Sequence, residues 1–219
     1  MSRERNQAQE DRAGEKARHT VRELLDAKGR TYADDAGIKL RDTPQPLCQL
    51  LVLACLSSTR IRASVAAASA RALFDAGLRS PRRMADASWQ QRVDALGEGG
   101  YRRYDESTAT RLGAGAELVL EEFGGDLRRL RSAADGDRDG MRALLRKVPG
   151  IGPTGADIFL REAQGVWPEV APFFDGKALQ GAERLGLPRD PDRLAALTNK
   201  DESHLLAAAL VRTALERRR

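Results

Sequence analysis

Two glycines flanking a single isoleucine, in Val148-Pro149-Gly150-Ile151-Gly152-Pro153-Thr154-Gly155-Ala156, constrain this chain more than any other stretch. The segments on either side, residues 141–147 and 154–163, space their apolar side chains as helices do, so the glycines form a tight link between two helices. Glycine reaches positive φ without a Cβ clash and lets backbone N–H groups come close to a ligand. The second helix starts just beyond Gly152, so its unsatisfied first-turn N–H groups and the positive end of its dipole face one place. Such a backbone suits a phosphate group. Ile151 is expected to sink between the helices, and Ala156 to let them pack closely. No Gly-Lys-Ser or Gly-Lys-Thr follows, which excludes a nucleotide P-loop. An ordinary helix–turn–helix with glycine as a C-cap fits the same residues.

The remainder reads as helix. Aromatics make up 5% of the chain and charged residues 32%, so the core must come mainly from Leu, Ala and Val, a mixture that favours helices over sheets. No stretch alternates with period two over a strand length, and no internal repeat is present. Residues 1–15 are polar throughout and are expected to be a disordered tail. Val21, Leu24 and Leu25 begin a first amphipathic helix that Gly29 ends. Residues 31–46 read as a long loop. Residues 47–57 are apolar nearly all round, as in the central helix of a bundle. Further helices are expected over 61–74, 81–85, 89–96, 106–122 and 127–132. They continue over 141–147, 154–163, 175–185, 194–197 and 203–218, and Ser80-Pro81 looks like a cap followed by proline at the first helical position.

Composition excludes several classes. Cys48 and Cys55 are the only cysteines and His19 and His204 the only histidines. Neither a disulfide framework nor a multi-histidine or four-cysteine metal centre can be built from them, and the cysteines read as small buried hydrophobes in a reduced compartment. The N-terminus lacks an apolar signal region, and the longest apolar run, residues 50–56, falls far short of a membrane span, so a cytoplasmic protein without membrane contact is expected. The formal charge is +5, and 31 of the 37 basic residues are arginine. Arginine's planar fork suits phosphates, although a GC-rich coding sequence raises the same residue. Gly100-Tyr101-Arg102-Arg103-Tyr104 interleaves aromatics with cations, a pattern that fits either stacking plus phosphate contact or tyrosines packed on a core. Arg217-Arg218-Arg219 is expected to be a solvated tail.

From about Leu47 to Leu187 the chain resembles the helix-hairpin-helix DNA glycosylase superfamily, which includes endonuclease III and the mismatch-specific adenine glycosylase. The resemblance is carried by the Val148–Ala156 hairpin, by Leu56-Ser57-Ser58-Thr59, by Trp167-Pro168 and by Asp175, which lies 23 residues after Gly152. It implies an all-α, two-lobed helical bundle with a DNA cleft between the lobes. Residues 47–168 would form a helical barrel domain carrying the hairpin, and residues 16–46 plus 169–219 a second helical domain. Base-excision repair of double-stranded DNA is the implied function, with nucleoid association in the cytoplasm and no protein partner.

The resemblance also assigns roles. Val148, Gly150, Ile151, Gly152 and Thr154 would contact DNA, and the carbonyls of Val148 and Ile151 would hold a monovalent cation. Asp175 would be the catalytic carboxylate, stabilising the oxocarbenium-like cation that forms as a base leaves its sugar and orienting the attacking water; capping the next helix is the other role its context allows. Members with a lysine two positions after the second hairpin glycine add strand cleavage through a Schiff base. Here Thr154 stands at that position, which points to a monofunctional glycosylase. A bifunctional glycosylase/abasic-site lyase, with Lys147 or Lys177 as nucleophile, and a non-catalytic DNA-binding module are the alternatives. The cysteine ligands of the family's iron–sulfur cluster are absent, so no cofactor beyond the cation is expected. Thr59 replaces the glutamine that fills the gap left by a flipped base, with Arg60 or Tyr101 as substitutes and Arg102 as a phosphate contact.

Overall fold

The computed structural model describes residues 2–216, apart from the side chains of residues 2–8, 10, 11 and 200, and Arg217-Arg218-Arg219 lies outside the described residues. Among the described residues every regular element is helical. The first are α1 (Ser2–Lys28), α2 (Tyr32–Asp35), α3 (Pro44–Ser57), α4 (Ala63–Asp75) and α5 (Pro81–Asp86). Next come α6 (Trp89–Glu98), α7 (Asp105–Phe123), α8 (Leu127–Ala133), α9 (Arg138–Leu145) and α10 (Pro153–Ala163). A short 3-10 turn, Pro168–Val170, precedes α11 (Gly176–Arg184), α12 (Pro191–Ala195) and α13 (Ser203–Leu215). Residues 2–15, expected to be irregular, belong to α1; their polarity says little against a helix when Ala, Glu, Arg, Gln and Lys recur in them. No helix is long and apolar enough to cross a membrane.

The chain divides into two compact units, Tyr32–Val170 and Met1–Thr31 with Ala171–Arg219. The division falls at residue 31 rather than at residue 46, which corrects the expected boundary, and the reason is polar. Glu162 Oε2 accepts the Ala33 N–H at 2.9 Å. Asp42 accepts the Trp167 Nε1–H at 2.9 Å on one oxygen and pairs with Arg131 at 3.0 Å through the other. These buried or half-buried contacts tie residues 32–43 to the larger unit.

In that unit α3 is the central helix. Two prolines in its first turn occupy positions where no N–H is needed, which starts the helix at Pro44, three residues before its apolar run. Leu47, Leu50, Leu53 and Leu56 are at most 1% exposed, each contributing about 2 kcal/mol of burial. The surrounding helices begin at side-chain caps. Ser80 accepts from Arg83 N–H at 3.3 Å ahead of Pro81, and Ser88 and Gln91 form a reciprocal capping box at the start of α6. Asp126 and Asp137 cap α8 and α9 through the N–H groups of Arg128 and Gly140.

In the smaller unit, α13 is buried along most of its length, and Val21 and Leu24 of α1 pack with it. Lys28 pairs with Glu216 at 2.7 Å, and Arg184 donates to the carbonyls of Thr213 and Glu216, satisfying the end of α13. Helices α11 and α13 touch backbone to backbone at Gly181, where a Cβ would lie 2.0 Å from the Leu210 carbonyl oxygen. Gly181→Ala is therefore expected to destabilise the protein by about 3 kcal/mol, seen as a lower denaturant midpoint at unchanged slope.

Candidate nucleic-acid interface

The link between α9 and α10 is built from a β-turn. The Ile151 N–H donates to the Val148 carbonyl at 2.9 Å, with Pro149 and Gly150 between them. Gly150 has φ +89°, so the turn has the type II pattern of proline then glycine. Gly152 follows as the N-cap residue of α10, and the first helical bond runs from Ala156 N–H to Gly152 O at 3.0 Å. Pro153 has no N–H. The amides of Gly152 and Thr154 make no hydrogen bond within the described residues and are exposed at the helix start. Val148, Ile151 and Ala156 are buried, and Gly155 packs against Ile151 and Ser58.

The two glycines differ in why they are there. A Cβ on Gly150 would stand 2.7 Å from Cys55 Sγ and 3.3 Å from Arg111 Cβ, and the positive φ already favours glycine. Gly152 has φ −86°, which any residue adopts, and a Cβ there would meet nothing within 4 Å. Neither fold nor packing calls for glycine at 152. The carbonyl of Val148 carries the turn bond and keeps a second lone pair, while the Ile151 carbonyl accepts no backbone N–H in the described loops and turns. Both oxygens suit a hard monovalent cation.

The C-terminal end of α3 lies beside this turn, through Cys55 at Gly150 and Ser58 at Gly155. Thr59 Oγ1 is 2.8 Å from the Tyr101 hydroxyl and 3.0 Å from the Leu56 carbonyl, which brings the 100–104 loop to the same place. Tyr101 is fully buried, which corrects its expected role: the ring has no face to offer a base. Its hydroxyl instead holds Thr59 back, and burial pushes the Tyr101 phenol upward against the hydrogen bond it shares with Thr59. Arg60 and Arg102 are exposed and form no ion pair within the described residues. Arg103 lies over the Tyr104 ring, its Cζ 5.3 Å from the centroid.

Asp175 stands at the N-cap of α11, in the smaller unit. Its Oδ1 accepts the Ala178 N–H at 2.8 Å, so the capping role is realised. It is 9% exposed and follows the buried Phe174, while Gly176 and Lys177 beside it are exposed. Lys147, the other candidate amine, is exposed after α9. Trp167 is fully buried, bonded to Asp42 and tilted against Phe159 at 5.5 Å between ring centroids, so it anchors its loop. Burial pushes the Cys48 thiol up to about 12 and the Cys55 thiol up to about 11, with Arg111 pulling Cys55 the other way. Neither is a thiolate nucleophile near neutral pH. Among the described residues no three His, Cys, Asp or Glu side chains gather as metal ligands.

Sequence reasoning missed Arg111. It lies on α7, 39 residues before Gly150, and only the packing of α7 on the hairpin brings it there.

No protein-family model matches the chain, and no curated protein matches it. Among solved structures, an endonuclease III trapped as a covalent intermediate with DNA, in an estranged-adenine complex, aligns over 90% of this chain and 84% of that chain. The TM-score is 0.55 and the identity 18%. The likeness is one of fold: this chain has the all-helical fold of endonuclease III.

Gly150→Ala is expected to cost about 2 kcal/mol from strain and the clash with Cys55, whereas Gly152→Ala should stay within about 0.5 kcal/mol of the parent protein. Thermal or denaturant unfolding of the two variants checks the difference.

Proposed function

We propose that this protein is a monofunctional DNA N-glycosylase that hydrolyses the N-glycosidic bond of a damaged or mispaired base in double-stranded DNA. The observation that carries the reading is Gly152: an exposed glycine, needed by neither backbone angle nor packing, at a helix start whose amides have no partner in the described loops and turns. A bare backbone there lets a phosphate approach the Gly152 and Thr154 N–H groups along the helix dipole. Val148 and Ile151 would offer their carbonyls to a monovalent cation, whose charge adds to the attraction for the strand. Gly150 and Ile151 shape the turn, and Arg60 and Arg102 contribute unneutralised charge beside it. The fold shared with endonuclease III supports the same reading.

Chemistry falls to Asp175. As the base leaves, positive charge grows on the sugar, and an ionised carboxylate stabilises it and orients the incoming water. The bond to Ala178 N–H fixes the carboxylate's direction, so capping and catalysis are compatible roles for one side chain. The target nucleotide must leave the stack for this to happen, with the duplex bent at the lesion. With Tyr101 buried and Thr59 tied to it, Arg60 is the candidate to occupy the vacated space. Thr154 cannot form an imine, so product release leaves an intact strand with an abasic site. The capping geometry of Asp175 also favours a second reading, a DNA-binding module without catalysis.

Oligonucleotide duplexes carrying uracil, hypoxanthine, alkylated purines, oxidised pyrimidines or adenine opposite oxidised guanine, developed with alkali, should reveal abasic product on at least one substrate. Asp175→Asn keeps the cap, because asparagine caps as well as aspartate, yet should slow that turnover by about 10²–10⁴-fold with lesion binding retained. Borohydride should trap no covalent adduct. An adduct would reinstate the lyase with Lys147 or Lys177 as nucleophile, and unchanged turnover in Asp175→Asn would leave the binding module.

A further inference from the structure

We propose that Arg111, on α7, is a further DNA-contacting residue that grips the same phosphate as the hairpin amides. The inference rests on the reading of the hairpin as a phosphate site and adds to it a side chain from a distant helix.

Helix α7 runs directly against the turn. A Cβ on Gly115 would stand 3.1 Å from the Pro149 carbonyl oxygen and 3.2 Å from Val148 Cγ1, so the hairpin backbone rests on α7 at that position. Arg111 precedes Gly115 by four residues and therefore lies on the same face, one turn earlier. Its stem crosses Gly150, with Cβ 3.3 Å and Cδ 3.7 Å from where a Cβ of that glycine would be. The missing side chain at 150 thus makes room for Arg111 as well as for Cys55. The arginine's stem is placed by packing, which lowers the entropy lost when its head engages a ligand.

The head is exposed, and no ion pair within the described residues engages it. Its helical neighbours at three and four residues, Ser107, Thr108, Ala114 and Gly115, carry no charge that could neutralise it. Three arginines of this unit are committed, Arg142 to Asp157 at 2.8 Å, Arg131 to Asp42 at 3.0 Å and Arg128 to Asp126 at 2.7 Å, whereas Arg111, like Arg60 and Arg102, is not. A guanidinium without an ion-pair partner, on a stem that passes Gly150 two residues before the first open amide, would complete an anion site, offering a planar fork where the amides offer single donors.

The test uses the full-length protein and a short duplex, with affinity measured across a range of salt concentrations. Arg111→Gln keeps most of the stem and should melt like the parent. It should weaken duplex binding roughly tenfold near physiological salt and reduce the slope of log affinity against log salt by about 0.9, as for one lost phosphate contact. Arg111→Lys should keep the slope and lose part of the affinity. Because both elements share one phosphate, the losses in Arg111→Gln and Gly152→Ala should combine to less than their product in the double variant. Unchanged slope and affinity in Arg111→Gln, with Gly152→Ala still impaired, would overturn the proposal while leaving the hairpin reading intact. Fully independent losses would overturn it too, by placing Arg111 on another phosphate. If Gly152→Ala binds like the parent, the hairpin reading itself fails, and Arg111 loses its shared phosphate with it.

Discussion

A turn with no side chain at its corner holds the larger unit's surface in place. Gly150 presses on Cys55 at the end of the buried helix α3 and on the stem of Arg111 on α7. Where that corner sits determines where α10 begins, and so where its first amides open to solvent. The apolar sequence of α3 matters to the surface for this reason: it sinks Cys55 into the core and gives the turn a fixed wall. Ile151 and Val148 close the underside, and the polar backbone is left on the outside. Packing demands glycine at 150 and makes no such demand at 152, where the backbone is exposed.

The proposed carboxylate and the proposed phosphate site follow different logics. The hairpin presents neutral backbone donors whose positions are set by helix geometry, so a phosphate arriving as proposed would need little reorganisation. Asp175 presents a side-chain carboxyl whose Oδ1 accepts the Ala178 amide at the start of α11. Close backbone contact at Gly181 in turn holds α11 on α13, so the placement of the carboxylate depends on a glycine six residues away. In each unit a candidate group thus traces back to a glycine that leaves no room for a side chain.

Much of this was legible in the chain. Helical spacing, Gly77, Ser80-Pro81 and the glycine pair mark their elements because caps and turns are local chemistry. What sequence could not reveal was set by contacts between distant residues. Tyr101 sits in a run of tyrosines and arginines that reads the same whether its ring faces a base or the core, and only its partner Thr59, 42 residues earlier, decides. Residues 31–46 look like a loop because Asp42 and Ala33 show their value only once Trp167 and Glu162 stand opposite them. Glu162 is fully buried with its carboxyl pushed upward by desolvation, a placement that no pattern in a helix of mixed polarity announces. Arg111 was missed for the same reason.

Whether the bare amides after the glycine pair receive a DNA phosphate can be read at the atoms concerned. The measurement is a titration of uniformly ¹⁵N-labelled protein with a short duplex, following backbone amide resonances. We expect the Gly152 and Thr154 amides to move downfield as they acquire an acceptor, with smaller changes at the capped starts of α5 and α6. Amides at Gly152 and Thr154 that stay put while the duplex binds elsewhere would contradict the account.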